Sequence, residues 1–198
     1  FVDSKFDRRQ LLRTILNSRT YQTRFHTNAF NQDDIRYFSH QEPRLLSAEQ
    51  LLDAVNTTTG TQQTFGQLPP GTKATQLPAP DLVKVDFLKV FGQPERSTVC
   101  ACERSEDSNL AMAIELFNGP MIYERLRDPK NRFRMALEAG RSIDDTVREL
   151  YLAALCRQPS DAELATAMEH SKTRPDPASA LEDICWALLN TDEFLFQH

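Results

Sequence analysis

The chain has 198 residues, of which 40% are hydrophobic and 26% are charged. This balance is typical of a folded globular protein and excludes a chain that is disordered throughout. Its 28 acidic residues outnumber its 23 basic residues, and the net charge of −5 argues against nucleic-acid binding, which uses a basic surface. No apolar run approaches the roughly 20 residues that span a bilayer, so we expect no membrane span.

Two helices are predicted in the first quarter of the chain. Asp7 can cap a helix that runs to about Asn17. Its apolar stripe is predicted to consist of Leu11, Leu12, Ile15 and Leu16. Ser47 and Gln50 have the spacing of a capping box, which predicts a second helix that ends within residues 56–60.

Residues 57–80 predict a long loop, because they contain three glycines and four prolines. Loops of this length are uncommon in compact domains and are usually functional or disordered. An ordered loop is possible if its apolar side chains reach the body of the domain. The side chains able to do so are Phe65, Leu68 and Leu77. One short extended segment is predicted at residues 72–77.

Two further helices are predicted in the middle of the chain. The first covers residues 82–91 and ends at Gly92. The second begins after Ser108 and ends at residues 118–120, where Asn-Gly-Pro cannot continue the helix. The residues predicted to face the core in this second helix are Leu110, Ile114 and Phe117.

The last third of the chain has the clearest helix signals. Ser142 can cap the first helix, Ser160 and Glu163 form a capping box for the second, and Asp176 precedes a proline that opens the third. The predicted helices are 143–156, 161–171 and 177–190. Because the connections between them are short, residues 142–190 predict a three-helix unit.

These elements predict an all-α fold. We expect an irregular helical bundle that forms a single domain over residues 1–198 and contains no sheet of three or more strands. Trp186 and the apolar residues 194–196 are predicted to be core or docking residues, because they continue the apolar face of the last predicted helix. Cys156 and Cys185 lie among apolar residues and are predicted to be buried thiols.

The greatest concentration of reactive side chains is the segment Cys100-Ala101-Cys102-Glu103-Arg104. Its thiols could be metal ligands, a redox pair or structural residues, and the sequence leaves these roles open. A bond between Cys100 and Cys102 would close a small, strained ring that is readily reduced. A structural zinc site needs four ligands, and no second pair or suitably spaced histidine accompanies this one, so no metal is predicted.

Glu49 and Asp53 lie four residues apart, on one face of a predicted helix. Two such carboxylates can divide acid and base roles between them, or they can belong to an arginine–carboxylate network that joins helices. Arg19, Arg44 and Arg104 are the candidate counter-ions. We therefore predict a polar cluster at the centre of the domain, with these members: Arg44, Glu49, Asp53, Cys100, Cys102, Glu103 and Arg104.

The order of several motifs resembles one known family. The motifs are residues 18–22 (Ser-Arg-Thr-Tyr-Gln), 44–54, 87–92, 100–104, 113–120, 150–155 and 186–195. Together they resemble the planctomycete-specific domain of unknown function at the C-terminal end of large secreted proteins, which often carry a planctomycete-type cytochrome c domain upstream.

The resemblance implies an extracytoplasmic location and a haem group on a partner domain. No cofactor is expected in this segment, which lacks the Cys-x-x-Cys-His signature of covalent haem attachment. Members of the family begin this domain earlier, so we expect the chain to be a fragment that contacts its own N-terminal region or another subunit.

The leading hypothesis is a non-catalytic helical scaffold or interaction module of a larger secreted, cytochrome-linked assembly. It serves a redox or glycan-processing partner domain. The alternative is part of an enzyme active site, acting on polysaccharide, that the polar cluster forms and the N-terminal part completes.

Overall fold

The computed structural model describes residues 1–23, 25, 27–41, 43–79, 83–93 and 110–197. The helices are α1 (Arg8–Leu16), α2 (Ala48–Thr59), α3 (Asp86–Val90), α4 (Leu110–Asn118), α5 (Pro120–Arg127), α6 (Arg132–Glu138), α7 (Ile143–Leu155), α8 (Asp161–Ser171), α9 (Pro177–Leu189) and α10 (Asp192–Leu195). Two short strands, β1 (Arg44–Leu45) and β2 (Phe196–Gln197), pair in a two-stranded sheet. Within the described residues, the all-α prediction is confirmed.

The chain divides into two compact units. The first consists of Phe1–Arg44 and Phe196–His198, and the second of Leu45–Leu195. The single domain expected over residues 1–198 stays a prediction.

Helix α1 of the first unit forms where the sequence predicts it. Asp7 Oδ1 accepts hydrogen bonds from the backbone N–H groups of Arg9 (2.8 Å) and Gln10 (3.2 Å), which satisfies two donors of the first turn. No residue of α1 is buried, and its apolar stripe is exposed to solvent. The first unit therefore does not cover this stripe with its own side chains.

The second unit contains the hydrophobic core, with α2 at its centre. Helix α2 packs on α3, α5, α6 and α7, and α7 packs in turn on α9. The largest fully buried side chains include Leu51 and Leu52 of α2, Phe87 of α3, Phe133 of α6, Leu150 of α7 and Leu181 of α9. Burial of each such side chain stabilises the fold by about 1.5–3 kcal/mol relative to exposure.

Local capping decides where these helices begin. Ser47 with Gln50 and Ser160 with Glu163 both form complete capping boxes, as predicted. Ser142 and Asp176 cap α7 and α9 at the predicted positions. Helices α7, α8 and α9 pack on one another, so the predicted three-helix unit is confirmed.

The long loop begins later than predicted. Residues 57–59 belong to α2, where Thr58 and Thr59 are fully buried. The Thr59 hydroxyl donates to the carbonyl of Val55 at 2.8 Å, so its burial leaves no polar group unpaired. Gly60 ends the helix in the left-handed conformation, with φ at 71°.

The remainder of the loop is ordered in the part that the structure describes. Phe65 is buried, and Leu68 and Leu77 pack against the core, as expected for an ordered loop. The extended segment predicted at residues 72–77 is wrong, since Ala74–Gln76 form a 3-10 turn. Pro80, at the end of the predicted loop, lies outside the described residues.

The predicted orientation of α4 is also wrong. Met112 and Leu116 are its buried residues, whereas Leu110, Ile114 and Phe117 face solvent. Both sets are apolar and both have helical spacing, so the sequence pattern fits either orientation. Packing of α4 against α3 and α5 decides between them. Ser108, the predicted cap of this helix, lies outside the described residues.

Three of these helices were not predicted from the sequence: α5, α6 and the short α10. Helix α5 begins with Pro120 at its first position, and α6 is capped by Asn131, whose side-chain oxygen accepts from the Arg134 N–H at 3.0 Å. Helix α3 forms at Asp86–Val90, inside the predicted range 82–91, with Gly92 after it in the left-handed region. None of the helices in the described residues is both long and apolar enough to cross a bilayer.

Candidate functional site

The polar cluster predicted from the sequence falls largely outside the described structure. Four members lie outside the described residues: Cys100, Cys102, Glu103 and Arg104. Arg44 lies in β1 and is exposed, and Glu49 and Asp53 lie in α2. The cluster as a whole stays a prediction.

Asp53 has a structural role that the sequence did not indicate. Its Oδ1 accepts from the Ala74 N–H at 2.7 Å, and its Oδ2 accepts from the Thr75 N–H at 3.0 Å and the Thr75 hydroxyl at 2.8 Å. The carboxylate thus caps the 3-10 turn and holds the loop against α2. These three hydrogen bonds account for a charged residue at this position without invoking catalysis.

The two described cysteines differ in their environments. Cys185 is fully buried in α9, and burial raises the pKa of its thiol to about 12, which keeps it protonated and unreactive. Cys156 is exposed, so the prediction that it is buried was wrong. It ends α7 in the left-handed conformation, with φ at 55°, at the surface rather than in the helix face that packs on the core. Both are free thiols.

A groove of about 670 Å³ lies between α8 and α9. Helix α8 contributes mainly small side chains to it, and α9 contributes a more apolar wall. The lining includes Ala162, Thr166, Ala167, Ile184, Ala187 and Leu188. Because Ala and Thr occupy positions where a larger side chain would fill the space between the helices, the groove stays open. Its volume falls within the range of about 300–1,000 Å³ that is usual for ligand pockets.

One end of the groove is polar. His170 Nε2 donates to Asp183 Oδ2 at 2.8 Å, and Arg174 Nε donates to the same oxygen atom. Within the described residues, Arg174 makes no hydrogen bond through either Nη atom. Two basic side chains therefore share a single carboxylate, and part of one guanidinium stays available for another acceptor.

Glu163, which lines the other end of the groove, belongs to an ion-pair network. Arg157 donates to Glu193 through Nε and Nη2, both at 2.7 Å, and to Glu163 through Nη1 at 2.9 Å and Nη2 at 2.7 Å. Its guanidinium also lies 5.6 Å from the ring centre of Tyr151, which lines the groove. Two carboxylates thus surround one cation at this end, and the network joins the start of α8 to α10.

A second surface feature is the solvent-facing side of α4. Leu110, Ile114 and Phe117 are 76%, 55% and 50% exposed. Their spacing of four and three residues places them on one face of the helix. Phe117 contacts Trp186 of α9, with ring centres 5.7 Å apart, and the Trp186 Nε1–H donates to the Phe117 carbonyl in a long hydrogen bond of 3.4 Å. We call Leu110, Ile114, Phe117 and Trp186 the α4 surface.

Sequence reasoning identified part of these features. Trp186 was predicted as a core or docking residue. It is partly exposed and belongs both to the α4 surface and to the lining of the groove. The groove itself was missed. A signal for it exists in α8, where only Ala167 is buried and small residues recur at helical spacing. Among the described residues, no group of three or more His, Cys, Asp or Glu side chains is placed to hold a metal ion.

Comparison with known proteins bears out the resemblance at the level of the family. The model of the PSD1 family, described as "Protein of unknown function (DUF1553)", matches residues 1–171. The match includes α8 but not α9, and the motif at 186–195 lies beyond it. No curated protein and no solved structure matches the chain. The chain belongs to the PSD1 family of proteins of unknown function.

Proposed function

We propose that the chain is a non-catalytic helical interaction module of a larger secreted, cytochrome-linked assembly, and that the α4 surface is its contact site. The observation that carries the proposal is the exposure of Leu110, Ile114 and Phe117 along one face of α4. Single exposed apolar residues are ordinary, but an aligned row beside a tryptophan is typical of a protein-binding surface.

The geometry supports a protein partner with an apolar face. Residues at positions i, i+4 and i+7 form the pattern by which one helix packs on another or enters an apolar groove. Phe117 and Trp186 are in contact, so they present a rigid aromatic pair at one end of the row. Buried aromatic residues supply most of the binding energy in many interfaces. The exposed stripe of α1 offers a second apolar surface of the same kind.

The identity of the partner is part of the proposal. It is the chain's own N-terminal region or another subunit, located outside the cytoplasm and linked to a cytochrome c domain that carries the haem. This part is supported by the family resemblance of the sequence. The alternative of an active-site segment depends on the polar cluster, four members of which lie outside the described residues.

The test compares two substitutions in the natural full-length protein. Ile114→Glu places a charge in the middle of the α4 surface. Leu152→Glu places the same charge on α7, at an exposed leucine outside that surface, and is the matched control. The isolated protein is analysed by light scattering for the mass of the assembly and by absorbance for its haem content.

We expect Ile114→Glu to release the partner from the α4 surface, because an unpaired charge is costly to bury in an apolar interface. A separate subunit then leaves with its haem and lowers the assembly mass. The chain's own N-terminal region instead stays attached and becomes more susceptible to limited proteolysis, which is measured on the same preparations. Leu152→Glu should change neither the assembly mass nor the proteolysis pattern. The proposal is wrong if both variants keep the assembly mass and the proteolysis pattern of the unmodified protein.

A further inference from the structure

We propose that the groove between α8 and α9 binds an aliphatic monocarboxylate, with the carboxylate group on Arg174 and the hydrocarbon chain along the groove. The inference does not depend on the proposed function, because it concerns a small ligand, and Trp186 is the one residue that the groove shares with the α4 surface. It is based on three observations: the open apolar volume, the uneven distribution of charge between the two ends, and the unused donors of Arg174.

The apolar part of the groove suits a hydrocarbon chain. Ile184 and Leu188 of α9 and Ala167 of α8 are buried and line it, and the exposed Ala187 lies at its rim. The side chain of Trp186 supplies an aromatic wall. A hydrocarbon chain placed here would leave water and contact these side chains, and binding is favoured in proportion to the apolar surface removed from water.

The charges at the two ends orient such a ligand. At the end near Arg157, Glu163 lines the groove, and its carboxylate would repel an anion. At the opposite end, His170 and Arg174 share the carboxylate of Asp183. Among the described lining residues, Arg174 is the one arginine or lysine, so an incoming anion finds its complement at this end.

The donors of Arg174 favour a carboxylate over other head groups. Its Nε atom is bonded to Asp183, while its two Nη atoms have no hydrogen-bond partner within the described residues. A guanidinium edge with free N–H groups matches the two oxygens of a carboxylate. An alcohol could accept only part of this interaction, and a cationic head group would be repelled.

The first experiment uses the unmodified chain and three probes of equal chain length. Decanoate, decanol and decyltrimethylammonium are titrated below their micelle concentrations, and Trp186 fluorescence reports binding, because Trp186 is the only tryptophan in the sequence and lines the groove. We expect saturable binding of one decanoate per chain. Decanol should bind about tenfold more weakly, as expected for loss of one charge-assisted contact. Decyltrimethylammonium should bind more weakly than decanoate.

The result that overturns the proposal is equal affinity for decanoate and decanol, tighter binding of the cation, or an unsaturable signal. Equal affinity for all three probes would mean a general apolar surface without anion recognition.

Three substitutions then locate the site. Arg174→Gln should weaken decanoate binding about tenfold and leave decanol binding unchanged. Lys172→Gln removes the same charge from an exposed position at the end of α8, outside the groove lining, and should leave both affinities unchanged. Ala187→Phe fills the groove and should abolish binding of both probes.

The proposed site is contradicted if Ala187→Phe still binds decanoate with the affinity of the unmodified chain. It is also contradicted if Arg174→Gln and Lys172→Gln have the same effect on decanoate affinity. Each variant is first compared with the unmodified chain by thermal denaturation. The probe series on the unmodified chain tests the proposal even if a variant fails to fold.

Discussion

Replacing Arg157 by alanine should lower the free energy of unfolding of the second unit by more than one exposed ion pair contributes. The substitution removes four N–H donations to Glu163 and Glu193, at 2.7–2.9 Å, and leaves those two carboxylates without their shared cation. An exposed ion pair contributes only about 0–1 kcal/mol, whereas hydrogen bonds to charged groups contribute about 1.5–3 kcal/mol each. The three side chains are 38%, 33% and 32% exposed, so solvent screening reduces the larger value.

We therefore expect a loss of about 2 kcal/mol in the free energy of unfolding, which corresponds to a fall of about 4–8 °C in Tm for a chain of this size. The assay is urea denaturation followed by Trp186 fluorescence. Arg148→Ala is the matched control, because Arg148 forms an ion pair with one carboxylate, that of Asp144, on an exposed face of the same helix. Its effect should be much smaller.

The pH dependence tests the same network independently. Hydrogen bonds from Arg157, and then from the backbone of Ser160, lower the pKa of Glu163 to about 2. A lowered pKa in the folded state stabilises the protein above the usual pKa of 4.5, and this stabilisation is lost as pH falls from 4.5 towards 2. The difference in stability between the unmodified chain and Arg157→Ala should therefore shrink over that range. A difference that does not change with pH, or one no larger than that of Arg148→Ala, refutes the reasoning.

Three further predictions concern the fold. Asp53→Ala should remove about 2 kcal/mol from the free energy of unfolding and speed hydrogen exchange at the amides of the 3-10 turn; unchanged exchange there would show that the carboxylate does not hold the loop. Cys156 should react with a thiol reagent in the folded protein and Cys185 only after unfolding, as read by mass spectrometry of labelled peptides; equal rates would contradict the burial of Cys185. Chemical denaturation should show that Leu116→Ala lowers the free energy of unfolding by about 2–5 kcal/mol and Leu110→Ala by about 0.5 kcal/mol or less. The reverse order would support the orientation of α4 predicted from the sequence.

Local features of this fold were predictable from the sequence. The caps at Ser47, Ser142, Ser160 and Asp176 depend on hydrogen bonds between residues no more than three positions apart. Such bonds are encoded in short motifs, which is why the starts of α2, α7, α8 and α9 were correct.

Features that depend on distant residues were not predictable in this way. Asp53 bonds to Thr75, 22 residues away, and Arg157 bonds to Glu193, 36 residues away. The orientation of α4 was missed because its two faces are both apolar, and only contacts with other helices select one. The groove was missed for a related reason, since an open volume depends on which small side chains oppose each other across two helices.

The central claim is that the α4 surface is covered by a protein partner, and crosslinking from that surface tests it most directly. A photoreactive benzoylphenylalanine replaces Phe117 in the natural full-length protein, and a second preparation carries it at Leu152 as the control. Mass spectrometry then identifies the polypeptide joined to each position. We predict that position 117 crosslinks strongly to one defined segment, either in the chain's own N-terminal region or in another subunit, and that position 152 does not. Crosslinking from position 117 that is no stronger than from position 152 would contradict the claim.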